Sequence, residues 1–161
     1  MGIFYSVDID MKKVEYVDPK ETRTEAQRLQ YEEINRSGKC PFCPDQFIKI
    51  HKKPIIKENE SWLATENETP YEGTKYHFLF VFKGEHTSTF DNLTNDEKIH
   101  LFDLISQINS EYSIKSGAFL MRYGDSGNGS SVRHLHCHII VGGNDKEQNP
   151  GKIKVKVGYK K

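Results

Sequence analysis

Three of the chain's seven histidines fall within five residues, at His134, His136 and His138 of the segment RHLHCHII (133–140). On a β-strand successive side chains point to opposite faces, so these three share one face, each roughly 7 Å from the next. Leu135, Cys137 and Ile139 share the other face. Those are core-like residues, so Cys137 reads as a small buried hydrophobe and the histidine face is left for function or solvent. Three readings suit the pattern. The bland one is an incidental exposed stripe, which asks chance to place three histidines in one register. The second is a metal site on the strand itself, since histidines one residue apart suit zinc. The third is a nucleophilic histidine whose neighbours orient it and its substrate.

A second cluster bears on that choice. Cys40 and Cys43 form CPFC, and the third cysteine, Cys137, is far away in sequence. This spacing reads as a metal knuckle or a redox pair before it reads as a disulfide. A redox pair is expected at a helix N-terminus after a strand, whereas these cysteines follow a helical pattern and precede Pro44 and Asp45. Zinc is the favoured reading. A closed zinc site needs four ligands, so two must come from elsewhere. The candidates are His51, His77, His86, His100 and the triplet, with His100 inside the best helix and expected at its surface.

The elements that must hold these residues are legible. Lys20 to Arg36 is helical in pattern, with Thr24 and Gln27 as a capping box and Ala26, Leu29, Tyr31 and Ile34 as a modest apolar side. Gly38 ends it. PIIK and SWLAT, joined by ENE, read as a hairpin, and YHFLFVF (Tyr76–Phe82) as a fully buried central strand. Thr94 to about Tyr112 is the strongest helix. Thr94 and Glu97 make its capping box, and Leu101, Leu104, Ile105 and Ile108 repeat at helical spacing. GAFLMRYG is a further strand, followed by the loop GDSGNGSS and then the histidines. The tail KIKVKVGYKK alternates Lys with apolar residues as an exposed edge strand does, and Ile3 to Val17 has β character. The expected fold is one α+β domain spanning 1–161, a largely antiparallel sheet with one long and one shorter helix.

At 161 residues the chain is the size of a single domain with a real core. Its 23 basic and 23 acidic residues give zero formal net charge, which argues against a dedicated nucleic-acid-binding domain. No apolar run approaches the roughly 20 residues that span a bilayer. MGIFYSVDIDMKK carries acidic residues where a signal peptide needs an apolar core, so a cytoplasmic location is expected. Met1-Gly2 with Ser6 matches a myristoylation pattern of a kind that chance often produces.

HLHCHII fits at every position the signature His-Φ-His-Φ-His-Φ-Φ, with Φ apolar, and the chain resembles the histidine-triad superfamily. CPFC, PIIKENESWLATEN, YHFLFVFKGEHTSTFDNLTNDE, the long helix, MRYGDSGNGSSV and the triad follow in the family's order, over roughly residues 28 to 141. With the knuckle, it is similar to the zinc-containing branch of galactose-1-phosphate uridylyltransferase and the dinucleoside polyphosphate phosphorylases. The resemblance implies cleavage at the α-phosphate of a dinucleoside polyphosphate or nucleotide ester, by hydrolysis or transfer. His136 would attack and carry a nucleotidyl-histidine intermediate, and His138 would bind phosphate or the leaving group. Cys40, Cys43, His86 and His134 would hold a structural zinc. Ser131, three residues before the first histidine, would contact phosphate, and Asn67 the ribose or phosphate. A homodimer with a sheet continued across the interface is also implied.

The residues around the triad agree. Gly129 lets backbone N–H groups approach an anion, Ser130 and Ser131 add hydroxyls, and Arg122 offers charge, although an Arg on a strand is equally often a solvated face. The chain departs from many relatives in having VGGND where they carry Pro-Arg after the triad. Two other readings stand beside the enzyme: a non-catalytic nucleotide-binding regulator using the same pocket, and a metallohydrolase with catalytic zinc on the triplet.

Overall fold

The computed structural model describes residues 14–125, 127–143 and 151–160. The β character of Ile3–Lys13 and the Met1-Gly2 pattern lie outside the described residues. Five strands form one sheet: β1 (Ile55–Glu58), β2 (Trp62–Glu66), β3 (Thr74–Phe82), β4 (Ala118–Met121) and β5 (His136–Gly142). Their spatial order is β1-β2-β3-β5-β4, and every neighbouring pair is antiparallel. Three α-helices accompany it: α1 (Glu25–Ser37), α2 (Pro44–Ile50) and α3 (Asn95–Glu111). The fold is α+β, as expected, with the hairpin, the central strand and the long helix where the patterns put them. No described helix is long and apolar enough to cross a membrane.

Alternation divides the sheet into two unlike faces. Trp62 and Ala64, Phe78, Phe80 and Phe82, and Leu135, Cys137, Ile139 and Val141 all point to one side. There they pack on Leu101, Leu104, Ile105 and Ile108 of α3. The helix begins with a complete capping box: Thr94 Oγ1 accepts from Glu97 N, and the Glu97 carboxylate accepts from Thr94 N. Trp62 Nε1 donates to the Glu97 carbonyl at 2.8 Å, fixing that end of the helix to β2. On the opposite face Leu63, Leu79 and Val81 pack against Phe47 of α2 and Phe42 of the knuckle. Because β3 is covered on both sides, its sequence reads as one continuous apolar run.

Three expectations need correction. A third helix, α2, follows the knuckle directly: Pro44 occupies its first turn, where a missing N–H costs nothing, and Cys43 is its N-cap. The box at α1 is only half formed. Thr24 Oγ1 accepts from Gln27 N, but Gln27 Oε1 accepts from Arg23 N, one residue early. Of its apolar side, Tyr31 is buried, whereas Leu29 is 53 % exposed. The tail 151–160 is not an edge strand: period-2 alternation is necessary for a strand, but among the described residues no neighbouring strand accepts these residues. Where the described residues begin, Val17 makes a single bridge to Val132, and Arg133 N donates to the Tyr16 carbonyl.

Candidate active site

His134 lies just before β5, not on it. At the end of β3 the chain bends away, with Phe82 N donating to the Leu135 carbonyl and Leu135 N to the Thr87 carbonyl. That bend turns His134 toward the knuckle and the 84–88 segment, while His136 and His138 remain on the strand's site face. His134 Nε2–H donates to the Phe82 carbonyl at 2.8 Å, which leaves Nδ1 bare. Nδ1 lies 3.5 Å from Cys40 Sγ, 3.7 Å from Cys43 Sγ and 3.2 Å from His86 Nδ1. Cys43 Sγ is 3.7 Å from His86 Nδ1.

All four donor atoms fall within 4.8 Å of one another, a cluster able to hold a metal ion. A tetrahedral zinc with ordinary bond lengths would put sulfur and nitrogen ligands about 3.6 Å apart and two nitrogens about 3.3 Å apart. The observed separations fit both. The donor chemistry fits as well. Burial pushes the Cys40 thiol up to about 12 and raises Cys43, so the pair needs a bound cation to be thiolates. The bond from His134 to the Phe82 carbonyl is the outer-shell contact that fixes a metal-binding imidazole. His51, His77 and His100 stand apart from the cluster, with His51 between Thr65 and Glu68 and His100 against Ser61. Neither His136 nor His138 belongs to it.

His136 is buried, and its Nδ1–H donates to the His134 carbonyl at 2.6 Å. The tautomer is thereby fixed, with the lone pair on Nε2. Burial lowers its pKa to about 4, the carbonyl opposing and Arg122 adding to the shift, so the ring is neutral at pH 7. Phe42, between the two cysteines, meets the ring edge-on at 5.0 Å. One short motif therefore supplies two members of the metal cluster and a wall for His136.

His138 is oriented differently. Its Nδ1 lies 3.0 Å from His77 Nε2, and His77 Nδ1 accepts from Tyr71 N at 3.2 Å. A backbone N–H only donates, so His77 Nδ1 is an acceptor, while His77 Nε2 is shared between His138 Nδ1 and the Asn67 side chain, whose Oδ1 accepts from Thr69 N. The Asn67 amide lies 3.0 Å from the same His77 nitrogen. Burial first, then His136, His77, Arg122 and Arg23, hold His138 well below the ordinary histidine range.

Both rings line a cavity of about 490 Å³, together with Asn67, Arg122, Gly129, Ser130 and Ser131. Every residue the sequence offered for substrate binding therefore meets at one place. Ser130 is the exception in detail: its hydroxyl donates to the Val132 carbonyl and stiffens the loop. The Ser131 hydroxyl lies 3.2 Å from the Tyr31 hydroxyl. Arg122 donates to Tyr71 Oη and to the Lys156 carbonyl.

Residues 49–145 match the HIT domain, three-fifths of the chain. The chain belongs to the HIT domain family. No curated protein is significantly similar in sequence. Among solved structures, it resembles a histidine triad protein from Clostridium difficile at 26% identity, covering 65% of this chain and 91% of that one with a TM-score of 0.54. A HIT family hydrolase from Legionella pneumophila is 23% identical over 70% of this chain and all of its own, with a TM-score of 0.51. A zinc-bound histidine triad family protein from Mycobacterium smegmatis shares the fold at 18% identity, covering 70% and 81% with a TM-score of 0.53.

The matched HIT domain contains the histidines, His77, His86, Arg122 and the glycine loop. Cys40, Cys43, Tyr31 and the tail lie outside it yet stand at the same site. Sequence reasoning singled out neither His77 as a partner of His138 nor Tyr31, Phe42 and Arg23 as cavity residues. His77 sits in an apolar strand run, where a histidine gives no periodic signal. The Arg23 guanidinium lies 4.2 Å above the Tyr71 ring, a contact between segments distant in sequence.

Proposed function

We propose that this HIT domain is a nucleotide hydrolase or nucleotidyltransferase that cleaves at the α-phosphate of a dinucleoside polyphosphate or nucleotide ester. The observation that carries the reading is the His136 tautomer, fixed by the His134 carbonyl with its Nε2 lone pair left for the cavity that His138 also lines. His136 Nε2 attacks the α-phosphorus, and a nucleotidyl-histidine forms as the leaving group departs. His138 binds the leaving oxygen or a phosphate oxygen, with His77 supporting it from behind. Ser131, the loop N–H groups at Gly129 and Arg122 stabilise the anionic phosphoryl group. Water or a second acceptor then releases the nucleotide from His136.

Cys40, Cys43, His86 and His134 would hold zinc, whose charge stabilises the buried thiolates and locks the chain just before the nucleophile. The close separations of the four donors support that placement. The name of the Legionella relative, a hydrolase, points the same way. A homodimer through the free edge of β4 is supported by Phe119 on that edge, 45 % exposed, beside Phe102 at 57 %. Phe119→Asp should then yield monomer in light scattering, and an unchanged mass would refute the pairing.

The test of the reaction is to incubate zinc-loaded protein with diadenosine tetraphosphate, with and without phosphate, and to identify products by mass. Wild type should give AMP and ATP in water, or ADP and ATP only with phosphate, and His136→Ala neither. Full activity in His136→Ala would refute the reading.

A further inference from the structure

The tail beyond Gly151, read from sequence as a free edge strand, runs instead across the mouth of the histidine cavity. Four contacts hold it there. Ile153 packs beside Gly73 and Gly142, where an added Cβ would touch it at 4.0 and 3.5 Å. Farther on, the Arg122 guanidinium donates to the Lys156 carbonyl and Gly158 N donates to the Asn128 carbonyl. The Tyr159 hydroxyl donates to Glu21. Gly158 has φ +67, and a Cβ there would stand 3.1 Å from the Gly127 carbonyl. A Cβ on Gly129, φ +75, would stand 3.2 Å from Gly158 N. Backbone thus rests on backbone, an approach that glycine alone permits.

Between these anchors, Lys154, Val155 and Lys156 line the cavity that holds His136 and His138. Arg23 and Arg122 line it too, so four cationic residues and a single acidic one, Glu21, border it. The chain as a whole has zero net charge, so the concentration of cations here is local. One nucleoside monophosphate at His136 does not need four of them. Arg122 is already tied to the strap's own carbonyl, which leaves the two lysines on the outer wall for a further ligand group.

We propose that Gly151–Lys160 is a specificity strap, in which Lys154 and Lys156 grip the polyphosphate of the leaving group. This rests on the reaction proposed above and adds that the chain discriminates by leaving-group charge, using a segment outside the matched HIT domain. Substrates with a polyphosphate leaving group are favoured over those whose leaving group is neutral.

The experiment is calorimetric binding of inorganic tripolyphosphate, orthophosphate and AMP to the zinc-loaded full chain and three variants. Lys154→Ala/Lys156→Ala should weaken tripolyphosphate binding about tenfold or more, the loss of one to two charge-assisted contacts, and leave AMP within about twofold. Lys152→Ala/Lys160→Ala removes the same charge from outside the cavity and should bind like wild type. Gly158→Val, which keeps both lysines but cannot dock the strap, should lose tripolyphosphate as the first variant does. Equal losses in the two lysine pairs would overturn the proposal. So would wild-type tripolyphosphate binding no tighter than that of orthophosphate. Lysine-dependent tripolyphosphate binding with no AMP binding would instead uphold the strap and refute the nucleotidyl reaction.

Discussion

The two faces of the sheet solve different problems with neighbouring residues of the same strand. Leu135, Cys137 and Ile139 go down onto α3, where the requirement is volume and every partner is apolar. His136 and His138 go up into a cavity where their ring nitrogens meet polar partners. The apolar face is built from one helix and three strands with little outside help. The site face draws on α1, the knuckle, the 84–88 segment, the glycine loop and the tail. A packed face tolerates approximate complementarity, whereas a polar site needs each donor and acceptor placed, and that takes more of the chain.

Removing the metal should strike the site face hardest. Structural zinc contributes roughly 10–16 kcal/mol in small zinc peptides, and less is expected here because the α3 core persists. Chelation, or Cys40→Ala, should lower the thermal midpoint sharply and abolish activity, while α3-face amides stay the best protected in hydrogen exchange. Uniform loss of protection across both faces would show that the two do not separate.

Leu104→Ala tests the other face. This fully buried residue should cost about 2–5 kcal/mol in denaturant unfolding. Turnover per folded molecule should stay near wild type, and a parallel loss of turnover would contradict the division.

A smaller, graded effect comes from pH. Burial holds both His77 and His136 down to about 4, so these rings stay neutral in the fold while their unfolded counterparts protonate near 6.5. As pH falls from 6.5 toward 4 the unfolded chain takes up protons that the folded chain refuses. Stability therefore declines across that window, by at most about 1.4 kcal/mol per pH unit for each ring, and is flat above it. Unfolding midpoints between pH 8 and pH 4 check this, and His77→Gln should reduce the slope. A midpoint that rises on acidification would contradict the neutral assignments.

The apolar face was almost wholly readable from sequence, because alternation, helical periodicity and the Thr94–Glu97 box are local signals that agree with one another. The histidine pattern likewise located the site, and the resemblance brought Cys40, Cys43, His86 and His134 into one cluster. Most of what escaped was set by contacts between distant segments. Pro44 and Asp45 open α2, which escaped because a helix of 7 residues is too short to show a clear period. The Lys-apolar alternation of 152–157 has the period of a strand, but its place is decided by Gly158 meeting the glycine loop. Tyr31 read as core on α1, and its hydroxyl gains a meaning only beside Ser131, 100 residues away.

The central claim is that His136 carries the nucleotide covalently. Zinc-loaded protein mixed with diadenosine tetraphosphate and quenched in denaturant within milliseconds to seconds, at mildly alkaline pH where phosphorus–nitrogen bonds persist, can be weighed intact and mapped by peptide mass. The account predicts a transient adduct of one nucleoside monophosphate on the peptide bearing His136, absent in His136→Ala. Turnover with no adduct at any time, or an adduct on another residue, would contradict it.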